Sequence, residues 1–94
     1  MKIYKIQGWV GKRSNKKNNF GLEYVFNEKL FVVDNLYTAL FLFIKMKNTV
    51  QDYKQYSTHY LGYCQLFEPH IFKDGQIANW PDKDNYIENY HWEK

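Results

Sequence analysis

Residues 30–48 read LFVVDNLYTALFLFIKMKN. Leu30–Val33 is short, apolar and β-branched at its end, which predicts a strand. Asp34 follows it and precedes a run of helix formers, the setting of an N-cap. Leu36, Leu40, Phe43 and Met46 then recur at a spacing near 3.6, with Tyr37, Phe41 and Ile44 beside them. So wide an apolar face predicts the central core helix. Its end is expected near Lys47-Asn48, where Lys45 and Lys47 suit the negative end of the helix dipole.

Toward the N-terminus, Lys2–Val10 alternates as a strand does. Ile3, Lys5, Gln7 and Trp9 fall on one face, and Tyr4, Ile6 and Val10 on the other. Residues 11–19 are polar and rich in Gly, Asn and Ser, a loop by composition. Phe20–Phe26 resumes the β character, which makes a hairpin with a long tip. Asn27-Glu28 then reads as a weak turn into Leu30–Val33, a third strand.

Toward the C-terminus, Asn48 or Thr49 is placed to cap a second, shorter helix carrying Val50, Tyr53, Ser57 and Tyr60 on one side. Leu61–Phe67 has strand propensity, with a continued helix as the rival. Glu68-Pro69 breaks whatever precedes it. Asp74-Gly75 between apolar runs predicts a tight hairpin with both residues at positive φ. The tail from Asp82 fits either a helical turn (Ile87 with Tyr90) or a strand whose one face carries Tyr86, Glu88, Tyr90 and Trp92. The expected fold is a single α+β domain over residues 1–94. It has an antiparallel sheet of about four to six strands packed against one central helix plus a shorter second helix.

Composition narrows the function classes. At 94 residues with 45% hydrophobic content, one core is expected without metal or disulfide staples. The single cysteine, Cys64, has no partner for an intramolecular disulfide. The longest apolar run, residues 39–44, is far too short for a membrane span, and residues 1–12 lack the apolar stretch of a signal peptide. The expectation is a cytoplasmic protein. Abundant Tyr, Asn, Lys, Ile and Phe with scarce Ala hint at an AT-rich coding sequence of bacterial or phage origin.

Catalytic and metal chemistry find little support. His59, His70 and His91 are scattered, and none lies in a catalytic signature. Glu68 and His70 flank a proline and form the one acid/base pair worth naming. Cys64 lacks an adjacent base. His59 and Cys64 are five apart with no second cysteine, short of a four-ligand zinc site. Gly8-Trp9-Val10-Gly11 lacks the Lys-Ser/Thr that follows in a phosphate loop. No catalytic residue, metal or cofactor is expected.

Charge distribution says more. Residues 1–30 hold seven cations against two acids, and residues 31–94 hold six against eight. Lys12, Arg13, Lys16 and Lys17 make a basic tip suited to a phosphate backbone, though such tips also serve solubility. Asp82, Asp84, Tyr86, Glu88, Tyr90 and Trp92 make an acidic, aromatic tail. Such a tail suits a basic protein partner: carboxylates speed encounter and aromatic anchors hold it. The leading expectation is a non-enzymatic binding protein. Its concrete form is an immunity protein that neutralises a cognate bacterial toxin, for instance a nuclease, or a similar small inhibitor. The alternative is a small basic nucleic-acid-binding protein acting through the Lys12–Lys17 loop.

Overall fold

A computed structural model describes residues 2–13, 22–55, 60–81 and 85–93. Four strands form one antiparallel sheet: β1 (Ile3–Arg13), β2 (Leu22–Val33), β3 (Tyr60–Phe67) and β4 (Tyr86–Glu93). Their order is β2-β1-β3-β4. One helix, α1 (Leu36–Asp52), joins β2 to β3, which flank β1 and run parallel to each other. This is a split β-α-β unit extended by a fourth strand.

The alternation in β1 is as its residues dictate. Tyr4, Ile6 and Val10 face α1 and are buried with Ala39, Phe43, Met46 and Val50 of the helix. Cys64 and Leu66 of β3 and Trp92 of β4 complete this core. Two close approaches require glycine. A Cβ on Gly8 would lie 2.7 Å from Met46 Sδ, and one on Gly62 would lie 2.8 Å from Val50 Cγ1 and run into the Trp92 indole.

The structure corrects several expectations. β2 is one continuous strand, not two joined at Asn27-Glu28, because Asn27 pairs with Trp9 and Glu28 with Gly8 in the ladder; the register shifts only further on, where Val10 pairs with Phe26 and Gly11 with Tyr24. The N-cap is Asn35, not Asp34: Asn35 Oδ1 accepts from the Thr38 amide at 3.0 Å. Asp34 instead takes a left-handed φ of 56°. Its carboxylate accepts from the Lys2 amide at 2.7 Å, and its own amide donates to the Lys2 carbonyl at 2.9 Å. That exchange ties the start of β1 to the chain reversal before α1.

No second helix follows at Thr49 among the described residues. Thr49 Oγ1 donates to the Lys45 carbonyl, which lets it stay in the helix. Val50 continues the buried stripe, and α1 runs to Asp52 before one 3-10 turn over Tyr53–Gln55. The segment 60–67 is a strand and not a continued helix. Around Asp74-Gly75, Ile71 and Ile77 form a single bridge, and only Gly75 has positive φ. The Gly75 amide donates to the Phe72 carbonyl, and the Phe72 amide to the Gln76 carbonyl. A three-residue loop with glycine in its left-handed position follows this pattern. Among the described residues, no helix is long and apolar enough to cross a membrane.

Candidate functional site

The structure places the tail residues on different surfaces. β4 pairs with β3 through a register shift between Leu66 and Phe67, and Ile87 is the extra residue. Tyr86 therefore lies on the sheet face away from α1, while Glu88, Tyr90 and Trp92 lie on the helix side. Trp92 is a core residue: it is buried, and its indole Nε1 donates to the Val50 carbonyl at 2.9 Å. Tyr90 is half-buried with Lys47 Nζ 5.0 Å from its ring centroid. Glu88 is exposed. Asp82 and Asp84 lie outside the described residues. Of the basic tip, Lys12 and Arg13 end β1, with Lys12 exposed, and Lys16 and Lys17 lie outside the described residues.

Among the described residues weighed for catalysis, Cys64, His70 and His91 lie on separate segments. His70 is exposed against Phe72, with ring centroids 4.9 Å apart. His91 is on β4, and His59 lies outside the described residues. Cys64 is buried, and its thiol donates weakly to the Phe43 carbonyl. Burial pushes its pKa up to about 12, against a smaller opposing pull from Lys47. Such a thiol is not a nucleophile near neutral pH. Among the described residues, no three His, Cys, Asp or Glu side chains converge as a metal site.

Two surfaces stand out instead. The first is the outward side of α1. Tyr37, Phe41 and Ile44 recur at i, i+4 and i+7, opposite the buried stripe, and are 86%, 59% and 54% exposed. Lys45 Nζ sits 5.3 Å from the Phe41 ring centroid. In sequence these three residues only widened the apolar face. One sheet covers one side of a helix, so they are left facing out.

The second is the sheet face away from α1, here the outer face. It carries Ile3, Lys5, Gln7 and Trp9 of β1. Lys5 is buried, donates from Nζ to the Asn79 carbonyl at 3.2 Å, and lies near the rings of Phe31 and Phe67. Burial lowers its pKa, and the Lys29 charge lowers it further. Gln7 Nε2 donates to Gln65 Oε1 at 2.6 Å, and Gln65 Nε2 to the Tyr86 hydroxyl at 3.1 Å. Burial, and then Tyr63, raise the pKa of Tyr86. Trp9 stacks on Tyr63 at 4.9 Å between centroids and 5° between planes, and Tyr63 stacks on His91 at 5.7 Å and 23°. Trp80, from the β3–β4 connection, meets Trp9 edge-on at 6.2 Å and 90°. A cavity of about 190 Å³ opens beside Trp9, between β2 and residues 79–80.

No protein-family model matches the chain, and neither the curated proteins nor the solved structures contain a match to it.

Proposed function

We propose that this chain is a non-catalytic binding protein that neutralises a protein partner in the cytoplasm, in the manner of an immunity protein or small inhibitor. The observation that carries this reading is the exposed Tyr37–Phe41–Ile44 stripe on α1. Large apolar side chains in line on a helix, on the side the core does not use, are what a helix offers to a partner's groove. Tyr and Phe are also the types enriched at interface centres. The acidic tail keeps a smaller part in this reading, through the exposed Glu88, because its two aromatic anchors on that side are engaged with the fold.

The test is affinity capture from cells of the source organism. Wild-type chain is compared with a Phe41→Glu/Ile44→Glu variant and a Lys12→Ala/Arg13→Ala variant. The expected result is one protein retained by wild type and by the Lys12/Arg13 variant, and lost by the helix variant. Retention by all three chains sinks the helix surface as the interface.

A second reading, nucleic-acid binding, keeps one specific support. Lys12 and Arg13 sit at the end of a central strand whose outer face carries Trp9, stacked on Tyr63 of β3. It requires binding that falls steeply with added salt and that depends on Lys12 and Arg13.

A further inference from the structure

Outer-face positions level with Trp9 run across all four strands: His91 on β4, Tyr63 on β3, Trp9 on β1 and Asn27 on β2. Three of the four are rings, stacked in succession at 5.7 and 4.9 Å. The fourth is a short carboxamide. Tyr63 stacks on one face of the Trp9 indole; on the other side the β2 position level with Trp9, Asn27, carries no ring, and the Tyr24 ring stands further along β2 in the cavity lining. The cavity of about 190 Å³ lies on that side, with Tyr24, Asn27 and Lys29 of β2 as one wall, and Asn79 and Trp80 as its rim.

We propose that this slot binds a single nucleobase, inserted as the fourth ring of the row. Shape argues first. The slot is bounded by an indole face and closed edge-on by a second indole, so its occupant is planar. Its volume is below the roughly 300–1,000 Å³ of pockets for drug-sized ligands, so it takes one ring system and not a larger molecule. Stacking on an aromatic face is available to every base.

The lining chemistry argues second. Gln7, Asn27 and Asn79 are carboxamides, and each carries both donors and acceptors. A base edge has the same mixed character, and Asn and Gln are its usual amide partners. A Phe or Trp side chain from a peptide would leave those amides facing carbon. Among the described residues, the one charged side chain in the lining is Lys29, a cation, which suits the phosphate attached to a base and disfavours a cationic ligand. The slot opens on the sheet face opposite α1, so it is independent of the helix surface proposed for the protein partner.

The probes are adenosine, guanosine, cytidine and uridine monophosphates, and single-stranded adenine and thymine oligonucleotides of eight residues. The readout is the NMR indole N–H signals of Trp9, Trp80 and Trp92 in the full chain. The expected result is saturable movement of the Trp9 and Trp80 signals with at least one base-bearing probe, while the buried Trp92 signal stays put. Asn27→Trp supplies the fourth ring from the protein itself, so it should weaken binding by at least about tenfold. An unmoved Trp92 signal in that variant shows that the core is intact. An oligonucleotide that binds far more tightly than any monophosphate identifies a strand as the source of the base; equal affinities identify a free nucleotide. Three results overturn the proposal: no movement with any probe at millimolar concentration, equal movement with ribose 5-phosphate, or unchanged affinity in Asn27→Trp. Equal binding of N-acetyltryptophanamide also overturns it, because the slot would then prefer no base over a protein side chain.

Discussion

Gly62 lies beneath the Trp92 ring, and the indole N–H reaches the carbonyl of Val50 in the last turn of α1. The pair fastens β4 to the helix: without a side chain on residue 62, the ring fits between strand and helix. Gly62→Ala should therefore destabilise the fold by about 1–3 kcal/mol, the usual cost of overpacking, read as a lower urea midpoint. A midpoint equal to that of wild type would show that the ring moves aside without cost. Cys64 gives a second residue-scale test. Its thiol has a pKa of about 12 in the fold against 9.0 when free. Between those values the unfolded chain loses the proton while the folded chain keeps it, so Cys64 makes stability fall as pH rises. The alkaline loss should be shallower in Cys64→Ala than in wild type, measured by urea unfolding from pH 8 to 11. At pH 8, a thiol reagent should label Cys64 only as fast as the chain opens.

At the scale of elements, α1 has two apolar sides with different work. Phe43 is buried against the sheet, and Phe41 is more than half exposed on the opposite side. Phe43→Ala should cost about 3–5 kcal/mol. Phe41→Glu with Ile44→Glu should change stability by no more than about 0.5 kcal/mol per site, as surface substitutions do. Thermal or urea unfolding of the three chains checks this; a large loss in the Phe41/Ile44 variant would place that side in the fold's own packing.

The same helix shows what the sequence could reveal. Its existence and its Phe43 and Met46 positions were legible from the 3.6-residue spacing. Which apolar side faces the sheet was not, because a helix apolar nearly all round reads as wholly buried until its neighbours are counted. β1 was legible residue by residue as far as Val10, since strict alternation admits only two faces; its continuation through Gly11, Lys12 and Arg13 was not, because those residues read as loop by composition. The unbroken β2 was not, because Asn27 and Glu28 have turn propensity and only their pairing with Trp9 and Gly8 holds them extended. Of the tail's two readings the structure has the strand, with Glu88, Tyr90 and Trp92 on one face as expected and Tyr86 on the other. The extra residue Ile87 reverses Tyr86 relative to Glu88, Tyr90 and Trp92, and a bulge leaves no periodic mark. Of the candidate surfaces, the charges were visible in sequence, whereas the aromatic row needed the register of three strand pairs.

At the scale of the molecule, the described residues form one sheet with a helix on one face and residues 79–80 of the β3–β4 connection on the other. Asn79 and Trp80 cover only part of the outer face, over Lys5 and Trp9. The helix stripe and the aromatic slot thus point in opposite directions, and variants of one should leave the other's binding intact. The helix stripe is the central claim, and amide NMR mapping of the labelled chain with the captured partner tests it most directly. The expected result is shift changes and line broadening concentrated at Tyr37–Asn48, and abolished by Phe41→Glu/Ile44→Glu. Changes confined to the outer face or to Lys12 and Arg13, with Tyr37, Phe41 and Ile44 unmoved, would contradict it.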